Sequence, residues 1–156
     1  MKQDAPAKGL TKSQRVLIIS CSAAKRRSPS AKMPAIERYD GVFFKVLRKA
    51  LREARCQPPV AILIISAKYG LITSKTLIPN YDKKMTARQA GRLRASIRKE
   101  LQQRVHKTEP DGILVNLGAA YAGIIHDLPA LKGASWAAGP IGKRAATLKA
   151  WLINAP

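Results

Sequence analysis

Two lysines and one aspartate stand where side chains can do chemistry. Lys25 and Lys68 each follow an apolar, β-branched run by a few residues, in Ile18-Ile19-Ser20-Cys21-Ser22-Ala23-Ala24-Lys25 and Ile64-Ile65-Ser66-Ala67-Lys68-Tyr69-Gly70. An amine so placed either clamps phosphate electrostatically or, desolvated, acts as a nucleophile. Asp82 follows Tyr81 in Pro79-Asn80-Tyr81-Asp82 and is one of 9 acids in a chain with 29 Lys plus Arg. A carboxylate on a phosphate-binding surface is repulsive and needs a reason. It can be a general base that activates water, a partner to Arg or Lys, or a turn former. Tyr69 and Tyr81 offer faces on which a base can stack. Cys21 is flanked by cations that would favour a thiolate, yet neither His106 nor His126 sits where it would serve as its base, so Cys21 is assigned to pocket wall.

The runs that carry these residues read as buried parallel strands emptying into an active-site edge. Val16 to Ile19 ends in Ser20, Cys21 and Ser22; Ile62 to Ile65 ends in Ser66; Ile113 to Val115 ends in Asn116-Leu117-Gly118. The loops 20–27, 66–72 and 116–121 are therefore expected to meet, with Lys25 and Lys68 on one edge. Ser20, Cys21, Ser22, Ser66, Tyr69 and Gly70 are expected to bind substrate there, as are Tyr81, Gly118 and Tyr121.

Between the strands the period changes to that of helices. Asp40 can cap a helix to about Arg55, with Phe43, Val46, Leu47, Ala50, Leu51 and Ala54 inward and Lys45, Arg48, Lys49, Arg52 and Arg55 outward. Thr86-Ala87-Arg88-Gln89 fits a capping box opening a helix to about His106, its stripe being Ala90, Leu93, Ile97, Leu101 and Val105. Arg88, Arg92, Arg94, Arg98, Lys99 and Arg104 crowd the rest of that helix. Like charges at this spacing destabilise it slightly, so a partner is expected to supply the counter-charge. A short helix is expected over 119–127, and residues 132–138 read as a last strand. Gly139-Pro140-Ile141-Gly142-Lys143-Arg144 then opens a helix with Leu148, Trp151 and Leu152 inward. That loop suits a phosphate, or is a plain turn. The segment 26–34 reads as an extended loop, and 70–85 shows no helical period.

Alternating strands and helices imply an α/β fold, a three-layer sandwich around a mainly parallel sheet of about four strands. Residues 1–14 read as a flexible basic arm and 15–156 as a single domain. The formal charge of +20 points to DNA or RNA. Arg26, Arg27, Arg48, Arg52, Arg88, Arg92, Arg98, Lys143 and Arg144 are assigned to its backbone. No apolar stretch reaches the roughly 20 residues of a membrane span. Cys21 and Cys56 are too few and too far apart for a disulfide framework or a zinc site, so no metal or cofactor is implied. Cys56 is placed at a helix end without function. The first residues lack the apolar core of a signal peptide, and a reducing, cytoplasmic setting is the expectation.

These motifs together resemble a family of small bacterial and phage proteins of unassigned function. The shared pattern is Ser20-Cys21-Ser22-Ala23-Ala24-Lys25, Arg38-Tyr39, Phe43-Phe44, Ser66-Ala67-Lys68-Tyr69-Gly70-Leu71-Ile72 and Tyr81-Asp82, closing with Gly118, Tyr121 and Gly139 to Arg144. More distantly, the spacing from Cys21 to Lys25 and the pair Tyr81-Asp82 resemble the lysine-transferring domain of archaeosine synthase. Ser20 stands where that domain has Pro, and Arg26-Arg27 where it has Pro-Tyr. That domain is similar in fold to the uracil-DNA glycosylases. The resemblance implies a pocket at the strand ends that takes a flipped or single-stranded nucleobase.

Three functions follow as expectations. The first is cleavage of the N-glycosidic bond of a modified base, with Asp82, Lys25 and Lys68 catalytic. The second is a non-enzymatic DNA- or RNA-binding module. The third, implied by the resemblance alone, is transfer of lysine to a 7-deazaguanine base, with Lys25 a recogniser.

Overall fold

The structure is a computed structural model, and it describes residue 10 and residues 14–28, 31–53 and 60–154. The basic arm, Ala54, Arg55 and Cys56 fall outside them, apart from Leu10 and Gln14. The central strand is β1 (Arg15–Ser20), flanked in parallel by β3 (Val60–Ser66) and β6 (Ile113–Asn116). Leu17 pairs with Ile62 on one side and Leu114 on the other. A short β7 (Ser135–Trp136) extends the sheet in parallel beyond β6, and β4 (Gly70–Thr73) lies antiparallel on β3. The order is β4-β3-β1-β6-β7, so the sheet has five strands where about four were expected. The added one is β4. Gly70, at φ 71°, turns the chain back on β3, so that Leu71 pairs with Ile65.

Strand alternation splits the core into two layers. Leu17, Ile19, Ile62, Ile64 and Leu114 face α2 (Val42–Arg52) and α5 (Ile141–Ile153). Val16, Ile18, Leu63, Ile65 and Val115 face α3 (Ala87–Val105) and α4 (Ala119–Ile125). The sheet is thus sandwiched between helices, as alternating elements predict. Ile97, Leu101 and Val105 are the buried positions of α3, as its period requires.

The segment read as an extended loop holds structure of its own. A two-residue strand β2 (Met33–Pro34) runs into the single turn α1 (Ala35–Arg38), and β2 pairs with β5 (Leu77–Ile78) in a small second sheet. This clasp places Tyr39 under the strand ends, where it is fully buried.

Two expectations about α2 are corrected. Its N-cap is Gly41 rather than Asp40. Its buried face is Phe44, Leu47, Arg48 and Ala50, while Leu51 stays 38% exposed. Arg48 therefore points inward, 7% exposed. Its guanidinium donates to the carbonyls of Ile36 (2.9 Å) and Tyr39 (2.6 Å) and to Asp40 Oδ1 (2.5 Å). It is a strut for the clasp rather than one of the outward cations the helical period predicted. Among the described residues no helix is long and apolar enough to cross a membrane.

Candidate functional site

The chain order places the site. From β1 the chain crosses to β3 on one side, and later returns to β6 on the other, so the ends of β1 and β6 flank the switch point where α/β sheets open a crevice. There Gly118 N donates to Ser20 Oγ at 3.5 Å, and Cys21 Sγ lies 3.1 Å from Tyr121 Oη. Cys21 N still bonds to Ile65 O (3.0 Å), which carries β1's pairing one residue past its end. The side chains of Ser66 and Asn116 continue the alternation of their strands on the α2/α5 face, beside Cys21.

Below this edge lies a hydroxyl cluster. Tyr81 Oη is 2.5 Å from Tyr39 Oη and 2.9 Å from Ser66 Oγ. Ser66 Oγ also accepts from the backbone N–H of Lys68 (3.2 Å) and Tyr69 (3.1 Å), which shapes the turn after β3. Ser66 is fully buried and Gly70 is buried too, so both shape this loop from within. Burial pushes the Tyr81 phenol up to about 12, with the charge of a Cys21 thiolate adding to the effect. Burial likewise raises Tyr39 and Tyr121 well above the ordinary phenol value. These hydroxyls are neutral hydrogen-bonding groups at physiological pH.

Both lysines converge on the same ring. Lys25 Nζ sits 4.5 Å from the Tyr81 ring centre and Lys68 Nζ 5.5 Å, distances at which a cation is attracted to an aromatic face. Lys25 is steered there by its bridge to Tyr39, and its ammonium donates to Ala23 O at 3.3 Å. Desolvation lowers the pKa of Lys25, partly offset by Cys21 and Asp82. Tyr69 meets Tyr81 edge to face, with centroids 5.2 Å apart.

Above the cluster opens a cleft of about 740 Å³. Cys21, Ser22, Lys25 and Tyr121 line one side. Asp82 to Met85 and the first turns of α3, with Thr86, Arg88, Gln89 and Arg92, line the other. Thr86 caps α3, its Oγ1 accepting from Gln89 N at 3.1 Å. The Gln89 side chain does not complete a capping box; its Nε2 donates to Ala67 O (2.6 Å) and ties α3 to the turn after β3.

The remaining cations divide into free and engaged. Arg27, Arg52, Arg88, Arg92 and Lys143 are exposed. Arg26, also exposed, pairs with Glu37 at 3.2 Å and Asp40 at 3.9 Å. Arg98 bonds to Asp127 (2.6 Å) and Ile124 O (3.1 Å), fastening α3 to α4, so part of the charge expected to await a partner is met inside the fold. Arg144 donates through Nε to Asn116 Oδ1 at 2.9 Å.

Lys83 and Lys84 line the cleft but escaped the sequence reading, because an aperiodic loop gives no facing. Tyr39 and Asn116 escaped it too. Tyr39 becomes part of the site through the clasp alone. Asn116 carried one visible signal, a polar residue closing an apolar strand.

A family profile matches residues 16–152. The chain belongs to DUF6884, a family of unknown function. No curated protein and no solved structure matches it. The match to this DUF6884 profile covers every residue that lines the cleft, from Cys21 to Tyr121.

Proposed function

We propose that the chain acts on nucleic acid, receives a nucleobase in the strand-end cleft, and hydrolyses the N-glycosidic bond of a modified base. The observation that carries this reading is the composition of the cleft: Lys25, Lys83, Lys84, Arg88 and Arg92 face a single carboxylate, Asp82. A polyanion suits those cations. The helix ends add to the field. None of α2, α3, α4 and α5, whose N-termini gather at the strand-end edge, has an acid in its first turn, where acids are ordinarily favoured.

The reaction needs a base out of the stack, which costs a few kcal/mol and demands a shaped pocket. Tyr121 gives that pocket an aromatic wall and a neutral hydroxyl, and the Tyr81 ring lies behind it, 4.5 Å from the Lys25 ammonium. As the bond from C1′ to the base nitrogen breaks, negative charge grows on the base and positive charge on the sugar. Lys25, readier to release its proton than an exposed lysine, faces the first. Asp82 orients the water that adds to C1′ and takes its proton. The products are the free base and an abasic site.

The test is an abasic-site assay on single strands and duplexes carrying a panel of modified bases. Wild type is expected to generate abasic sites, with Asp82→Asn and Lys25→Met each slower by about 10²-fold or more. Unimpaired turnover by Asp82→Asn would remove the role given to that carboxylate. The exposure of Asp82 favours a second reading, because a carboxylate open to bulk water does not hold one water in place: a binding module that recognises a base without chemistry. Salt-sensitive binding with no abasic site from any substrate would select that reading.

A further inference from the structure

Away from the cleft cations, Arg144 stands in the first turns of α5 with unusual support. Its Nε donates to Asn116 Oδ1 (2.9 Å), and its guanidinium lies 4.7 Å over the ring of Phe43. Burial lowers its pKa, a sign that its charge is partly stripped of water. Among the described residues no carboxylate pairs with it. The one hydrogen bond its side chain makes among the described residues is from Nε, so the two terminal nitrogens, the fork that grips planar or tetrahedral oxyanions, are not engaged there.

Asn116 supplies a second, separate observation. It is 0% exposed, and its Nδ2 has no partner among the described residues. Its oxygen is committed to Arg144, so the free donor lies on the same amide that holds this arginine of α5. A buried amide without an acceptor is costly and calls for a group that supplies one.

The helix end completes the arrangement. α5 has thirteen residues, and its N-cap is Pro140, which offers no side-chain cap. The N–H groups of Ile141, Gly142 and Lys143 have no intrahelical acceptor, and no acid neutralises this turn. Gly139, at φ 95°, lets Lys143 fold back: a Cβ on it would come within 3.0 Å of Lys143 Cδ. An arginine, a lysine, three backbone donors and a buried amide linked to that arginine thus belong to the first turns of one helix and the strand end beside it, and no acid stands in that turn.

We propose that the N-terminus of α5, with Arg144 and Asn116, is a phosphate-binding site. Its ligand is a phosphate group, carried either by a nucleic-acid strand or by a free phosphate. The site needs no chemistry at Asp82 or Lys25, so it stands or falls apart from the reaction assigned to the cleft.

The experiment is an NMR titration of the full chain with inorganic phosphate, following the amides of Ile141, Gly142 and Lys143 and the side-chain amide of Asn116. Saturable shifts at these groups are expected in wild type and in Lys149→Ala, a control that removes one exposed charge farther along α5. Arg144→Gln should weaken binding about ten-fold or more. Asn116→Asp, which keeps the link to Arg144 while placing a negative charge in the site, should abolish it. Unchanged cross-peaks elsewhere certify that both variants fold. Absence of saturable shifts in wild type, or wild-type affinity in both variants, would overturn the site. A second arm compares a 5′-phosphorylated dinucleotide with inorganic phosphate. Tighter binding of the dinucleotide, lost in Arg144→Gln, supports the site with a strand as the source. Equal binding supports it with free phosphate.

Discussion

The hydroxyl of Tyr39 lies 2.5 Å from that of Tyr81, and the Ser66 hydroxyl is 2.9 Å from the same Tyr81 oxygen. The Tyr81 oxygen is thus held by two residues from different parts of the chain, one beside the clasp and one at the end of β3. Tyr39→Phe removes one of these bonds while keeping the ring contact with Phe44. We expect a loss of about 1 kcal/mol in unfolding free energy, measured by denaturant titration. A variant as stable as wild type would mean that the Tyr39 hydroxyl contributes nothing.

The same phenols set an alkaline limit. Folding raises Tyr81 to about 12, chiefly by desolvation, and raises Tyr39 and Tyr121 as well, against an unfolded value of about 10. For an acid whose folded pKa is raised, the stabilisation is fully present below the unfolded value and is lost as pH climbs through the folded one. Stability should therefore fall between about pH 10 and about pH 12 for Tyr81, and Tyr81→Phe should fall less steeply across that window. Phenolate absorbance in the native protein should rise at higher pH than in the denatured chain.

Asp82 holds the pKa of Lys25 up against the desolvation that lowers it. Asp82→Asn should therefore move the Lys25 titration to still lower pH, read by NMR of its ε-carbon. A midpoint that stays or rises would show that the carboxylate does not act on this amine.

Arg48 and Arg92 look alike in sequence and should behave oppositely. Arg48→Ala removes donors to Asp40 and to two carbonyls, and should cost about 2–3 kcal/mol of stability. Arg92 is exposed on the cleft. Arg92→Ala should leave stability near wild type, weaken nucleic-acid binding, and reduce the slope of affinity against salt by about 1. A similar loss of stability in both variants would contradict this division.

The amino-acid order by itself determined β1, β3 and β6, their burial and the edge they open on. A run of β-branched residues ending in small polar ones is a local signal, and it survives folding because nothing distant is needed to produce it. The same holds for the cap at Thr86 and the stripe Ile97, Leu101 and Val105. The tertiary structure decided which way α2 faces. Period locates a stripe, but packing turned Phe44 and Arg48 inward, since Asp40 and the carbonyls of Ile36 and Tyr39 were there to receive the guanidinium. It also decided the membership of the site. Tyr39 reaches Tyr81 across 42 residues, and Arg144 reaches Asn116 across 28. Such pairs leave no periodic trace, because they exist only once the clasp and the last helix have closed over the ends of the strands.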